Sequence, residues 1–128
     1  MALEVGLRGE VTLLVGEEHT AARFGAGGVR VLATPVMIGL MENAAWTAVQ
    51  NALPPGETTV GTLVNVRHLA ATRVGEQVVA QAELVEIDGR RLVFRVSAHD
   101  EHRQIGDGAH ERARVLLDRF MARVEGGG

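Results

Sequence analysis

The segment from Thr34 to Asn51 constrains this chain more than any other. Glu42 is its one charged residue, and the only one between Arg30 and Glu57. Thr34-Pro35 reads as an N-cap followed by proline at the first helical position, where the missing N–H costs nothing. Pro54-Pro55-Gly56 stops the helix. The apolar positions from Val36 to Trp46 cover nearly the whole circumference, and a helix apolar all round is buried. One buried helix needs something folded around it.

The flanking segments supply strands. Residues 10–17 read as a first strand, followed by a Gly- and Ala-rich stretch from Thr20 to about Arg30. After Gly56 the period changes to two. Residues 60–72 alternate, with Val64, Val66, His68 and Ala70 on the face expected to meet the helix. Residues 76–87 form another strand, and Asp88-Gly89 signals a type I′ hairpin. The return strand, 90–99, puts Leu92, Phe94, Val96 and Ala98 on one side. A polar turn at Asp100–Arg103 leads to a last strand of about 104–117, where Gly106 and Gly108 suggest a bulge or a close backbone approach. Residues 118–124 extend that strand or form a short helix. The predicted architecture is α+β: an antiparallel sheet wrapped around one long buried helix, the hotdog fold. Such a sheet covers only part of the helix, so a homodimer is expected.

Size and composition bound the rest. A chain of 128 residues, 46% hydrophobic and 23% charged, suits a single globular domain. Residues 1–128 are taken as that domain, with a core of about 10–124 and frayed glycines at the end. No apolar run is long enough for a membrane span, and the first ten residues lack the pattern of a signal peptide. Without cysteine, disulfides, thiolate metal sites and cysteine nucleophiles are excluded. Sixteen acids against thirteen bases give −3, so no basic field gathers nucleic acid or an anionic membrane. All the bases are Arg, which removes the Schiff-base and P-loop lysines. A cytoplasmic location is expected.

Three residues stand out chemically. Glu42 sits mid-helix among apolar neighbours, where a carboxylate costs several kcal/mol unless it is paired or protonated. It marks either function or a solvated strip facing a partner's arginine. His68 lies on the strand face that should approach the helix carrying Glu42, as a core histidine or as a proton carrier. Thr34 is either a plain N-cap or a catalytic hydroxyl. It precedes Glu42 by eight positions, so the two can share a helix face roughly 12 Å apart. The first-turn N–H groups beside it suit a carbonyl oxygen turning into an oxyanion. His99, His102 and His110, with Asp100 and Glu101, read as solvated turn residues rather than as a metal site.

Several stretches together resemble the fluoroacetyl-CoA thioesterase family of hotdog proteins. They are Ala33-Thr34-Pro35 leading to Leu40-Met41-Glu42, Thr59 to Val64 with His68, Ala70-Ala71-Thr72, Ser97 to Asp100, and Ile105 to Arg112. The similarity spans roughly residues 10–124. It implies that Thr34, Glu42 and His68 act together on an acyl-CoA thioester, without cofactor or metal, in a homodimer with the site near the subunit interface. Gly61 and Phe24 are carried over as substrate-binding positions. Arg112 is added as a coenzyme-phosphate contact or an internal ion pair. The chain departs from the family in its lid, about residues 20–30, where Phe24 is followed by Gly25-Ala26-Gly27-Gly28. The expected function is hydrolysis of an acyl-CoA with a small acyl group. The rival readings are a non-catalytic acyl-CoA binder and a hotdog hydratase, whose usual Asp/His pair is missing from the helix.

Overall fold

The alternating segments become five strands: β1 (Arg8–Leu14), β2 (Glu57–His68), β3 (Gln77–Asp88), β4 (Arg91–His99) and β5 (Gln104–Leu116). They form one antiparallel sheet in the order β1-β3-β4-β5-β2, leaving β1 and β2 at its edges. Three α-helices, α1 (Ala21–Phe24), α2 (Thr34–Gln50) and α3 (Leu117–Glu125), and a short 3-10 helix at Glu17–His19 complete the described residues. The computed structural model describes residues 2–127.

The core lies between α2 and the sheet. Met37, Met41, Ala44, Ala45, Ala48 and Val49 pack against the alternate residues Val78 to Leu84 of β3 and Leu92 to Ala98 of β4. Each large apolar side chain buried there contributes about 1.5–3 kcal/mol. Gly9 on β1 sets the spacing, since a Cβ at that position would collide with the Ala44 carbonyl and lie 2.7 Å from the Ala48 nitrogen. The inward face of β4 and the hotdog arrangement are as the sequence predicts.

The differences have local causes. β1 ends at Leu14, although Val15 remains buried and bonds Glu76 and Gly75 through its backbone. β2 begins at Glu57 and ends at His68, several residues before Thr72. The β3–β4 loop is Gly89-Arg90, because Asp88 pairs with Arg91. Only Gly89 has positive φ, which is the type II′ pattern rather than type I′. Gly106 and Gly108 mark close approach: an added Cβ would meet Met37 Sδ at 2.6 Å and the Asn65 carbonyl, respectively. The β4–β5 register also slips beside Gly106, where Ala98 pairs with Gly106 and His99 with Gln104, and β2 carries a further bulge between Gly61 and Leu63. Leu117–Glu125 form a helix.

Helix α2 is not enclosed all round within one chain. Gly39, Asn43, Trp46 and Thr47 are exposed along its outer side. That side mixes Gly39 and Trp46 with the polar Asn43 and Thr47, and its own sheet does not cover it.

Candidate active site

Helix α2 begins one residue earlier than a capping Thr34 requires. Ala33 is the N-cap, Thr34 is the first helical residue and Pro35 the second. The Thr34 hydroxyl is therefore free of capping duty, and its Oγ1 lies 2.7 Å from His68 Nδ1. The start of the helix is poorer in donors than expected. Pro35 has no N–H, and the amides of Val36 and Met37 both donate to the Ala33 carbonyl. Thr34 keeps the one first-turn N–H without a hydrogen-bond partner among the described residues.

His68 is the last residue of β2 and is half-buried. Burial lowers its pKa from the usual 6.5, and the nearby Ala70 backbone partly opposes that shift. A neutral ring with Nδ1 unprotonated accepts the Thr34 hydroxyl proton. Its Nε2 is buried without a partner of bonding geometry. A hydroxyl and an imidazole at this distance form a proton-transfer pair.

Two turns along α2, Glu42 enters a different environment. Its carboxylate is 42% exposed and lies 3.9 Å from Nη1 of Arg112, which is buried. Arg112 is held from below: Nε donates to Thr59 Oγ1 at 2.8 Å and Nη2 to the Thr59 carbonyl at 2.9 Å. Its Nη1 donates to His110 Nε2 at 3.1 Å. The buried His110 in turn donates from Nδ1 to the Leu63 carbonyl at 2.8 Å. Those two contacts require the same form, a neutral ring protonated on Nδ1. Burial first, with the Arg112 charge adding, lowers the His110 pKa, which keeps the ring neutral against the opposing Leu63 bond. The arginine that meets Glu42 thus belongs to the same chain. With its donors engaged inside, Arg112 is an internal anchor rather than a contact for a coenzyme phosphate.

Gly61 clears the space in front of this carboxylate. A Cβ there would sit 2.8 Å from Glu42 Oε2 and 3.3 Å from His110 Cε1. Phe24, at the end of α1, stands apart from these hydrogen-bonded groups and is 53% exposed. His102 lies in the β4–β5 turn, where Asp100 Oδ1 accepts from the amides of His102 and Arg103. His110 lies far along β5, so the histidines do not gather. No group of three or more His, Asp or Glu among the described residues is arranged to hold a metal ion.

Sequence reasoning missed Thr59 and the anchoring role of His110. The signal lay in the alternation of the last strand, which puts His110 and Arg112 on one inward face. Their partner became visible only with the register that pairs Gly61 with Arg112.

Comparison with known proteins places the chain in a family. The family profile described as Fluoroacetyl-CoA-specific thioesterase matches residues 15–117. A fluoroacetyl-CoA thioesterase of Streptantibioticus cattleyicolor is 50% identical over 94 residues, which are 73% of this chain and 68% of that protein. A solved fluoroacetyl-CoA thioesterase superposes with a TM-score of 0.92 at 40% identity, covering 100% of this chain and 99% of the other. A thioesterase superfamily member from Thermus thermophilus superposes at 0.85 with 28% identity, covering 95% and 93% of the two chains.

Proposed function

The chain belongs to the fluoroacetyl-CoA-specific thioesterase family, and from that premise we propose that it hydrolyses a small acyl thioester of coenzyme A to the free acid and CoA. The observation that carries the assignment of residues is the 2.7 Å contact between Thr34 Oγ1 and His68 Nδ1, on the helix that also presents Glu42. The thioester carbonyl lies at the start of α2, polarised by the Thr34 N–H. Glu42 acts at the acyl carbon, by direct attack or by taking a proton from the attacking water. The C–S bond breaks, the sulfur leaves as thiolate and takes up a proton, and the oxygen of water ends in the acid. His68 carries the proton between these groups. Water is the only co-reactant these steps use.

Arg112, His110 and Thr59 hold the Glu42 carboxylate in place, and Gly61 leaves room for the acyl group before it. Phe24 closes over the acyl group only where a second subunit or a shift of residues 20–30 brings it there. The exposed outer side of α2 and the β2 edge favour a homodimer. Trp46, Leu63 and Val64 are each more than 40% exposed along that surface. Analytical ultracentrifugation tests it, and a monomer at micromolar concentration contradicts it. No helix of the described residues is long and apolar enough to cross a membrane. A cytoplasmic location suits an acyl-CoA substrate, and cell fractionation checks it.

Thiol release from a panel running from acetyl- and fluoroacetyl-CoA to long-chain acyl-CoAs tests the reaction. The expected result is release that falls as the chain lengthens. Thermal stabilisation by acyl-CoA without any thiol release points instead to a binding protein. A single turnover in ¹⁸O-water separates the two roles of Glu42, because only direct attack can carry label into its carboxylate.

A further inference from the structure

Thr34 and His68 sit at the ends of different elements, the start of α2 and the end of β2. His68 closes the β2–β5 ladder opposite Gly106, and the next amide, Leu69 N, donates to the Ile105 carbonyl at 2.6 Å. Beyond it the chain leaves the ladder. At Thr72 it meets the segment that leads into the helix, where the Thr72 carbonyl accepts from Leu32 N at 2.8 Å. On the other side of that segment, Thr20 bridges to Leu32, and Ala33 N donates to the His19 carbonyl at 2.9 Å. The hydroxyl–imidazole contact therefore closes a short ring. It runs from Thr34 back to Leu32, across to Thr72, and along the chain to His68. Thr72 is the corner opposite the contact.

That corner has its own support. Thr72 is wholly buried, and its hydroxyl donates to Asp100 Oδ2 at 2.8 Å. Asp100 lies in the β4–β5 turn, where its Oδ1 accepts the amides of His102 at 2.8 Å and Arg103 at 2.9 Å. Those two bonds are enough to make a turn of this kind. The second oxygen instead reaches out of the turn, to a buried hydroxyl 28 positions away. Burial opposes the charge on Asp100, but the bonds from His102, Arg103 and Thr72 outweigh it and lower the pKa from the usual 3.8. Asp100 is thus ionised near neutral pH, and all three bonds are charge-assisted. No step of the proposed hydrolysis uses this carboxylate.

We propose that Asp100 is a positioning residue for the reaction, setting the alignment of the Thr34–His68 pair through Thr72. The proposal rests on the thioesterase reading and gives that site a support outside it. The stretch that Thr72 steadies includes Ala70, whose backbone is the group favouring a proton on the His68 ring. With Nδ1 accepting from Thr34, a neutral ring carries its proton on Nε2. A shift of residues 69–72 moves ring and hydroxyl apart and loosens the hold on that tautomer. Misplacing such a pair by about 1 Å costs about 10²-fold in rate. The neighbouring Glu101 supplies a contrast within the same turn. Its Oε2 accepts from Gln77 N at 2.7 Å, at the start of β3 and away from the ring.

The test compares Thr72→Val and Asp100→Ala with Thr72→Ser, which keeps the hydroxyl, and with Glu101→Ala, which frees only the Gln77 amide. Rates are measured on acetyl-CoA with the full chain. The histidine ring nitrogens are followed by ¹⁵N NMR at about pH 8, where His68 is neutral. Loss of signals in His68→Ala assigns that ring. Thr72→Val and Asp100→Ala should lower kcat by about tenfold to a hundredfold, with KM within about twofold. Thr72→Ser and Glu101→Ala should stay within about threefold of the wild type. The His68 signals should show Nε2 alone protonated in the wild type and in Thr72→Ser. In Thr72→Val and Asp100→Ala they should move toward an average of the two tautomers. An unchanged kcat in folded Thr72→Val, an equal loss in Glu101→Ala, or an unaltered His68 tautomer overturns the positioning role. Where Asp100→Ala fails to fold, Thr72→Val against Thr72→Ser decides alone. If the wild type cleaves no acyl-CoA, the thioesterase reading fails separately, and the ring signals still decide whether Thr72 and Asp100 set the state of His68.

Discussion

The two hydrogen-bonded clusters along α2 are built differently. At its start, Thr34 and His68 share one short contact, and His68 Nε2 has no partner of bonding geometry. Two turns on, Arg112 has three bonds beneath it before it reaches Glu42, and His110 is fixed in one tautomer. The first cluster is sparse, which lets a proton move between hydroxyl and imidazole. In the second, three bonds fix Arg112, which keeps a positive charge 3.9 Å from the Glu42 carboxylate. A hydrolase needs both properties, and this helix separates them by length.

The comparison can be broken at several points. Glu42→Gln keeps size and removes the reacting charge, so kcat should fall by about 10³-fold or more with the melting temperature nearly unchanged. A stopped assay together with a thermal melt checks this, and a large stability loss would show that the carboxylate is structural instead. In the sparse cluster, His68→Ala and Thr34→Ala should each cost about 10²–10³-fold in kcat, again with little effect on melting.

Arg112→Met should behave in the opposite way. It strips His110 Nε2 and both Thr59 acceptors of their donor, so stability should fall by about 1–3 kcal/mol, as read by urea unfolding. Activity should fall as well, by about tenfold to a hundredfold, because Glu42 loses its anchor. Gly61→Ala pushes a methyl group into the space beside Glu42 Oε2, and kcat should fall about tenfold without unfolding the chain.

The smallest effect concerns pH. Both His68 and His110 have pKa values lowered from 6.5 by burial. The acidic limb of kcat/KM should therefore lie below pH 6.5, where His68 finally protonates. Stability should be full above 6.5 and decline as the pH falls through the lowered values, since the unfolded chain then binds more protons than the folded one. A limb above 6.5 contradicts the neutral-histidine reading.

Local chemistry was legible in the sequence, and pairing was not. The helix bounds followed from Pro35 and Pro54, and the inward face of β4 from simple alternation. Glu42 announced itself as the one charge in an apolar helix. Whether Thr34 capped the helix could not be read, because a one-residue shift of the helix start decides whether its hydroxyl is free. Arg112 was equally opaque: the contact with Glu42 depends on a ladder joining residues about fifty positions apart, and on a bulge beside Gly61. The turn type at Gly89 was missed for the same reason, since register rather than the Asp-Gly pair chose the loop.

The central claim is that the two clusters act on one thioester as a unit. Thiol release from fluoroacetyl-CoA and acetyl-CoA should be measured for the wild type, Glu42→Gln, His68→Ala and the double variant. Groups that act together are non-additive, so the double variant should be about as slow as the slower single variant. Losses that multiply would show two independent sites, and near-normal release by either single variant would contradict the account outright.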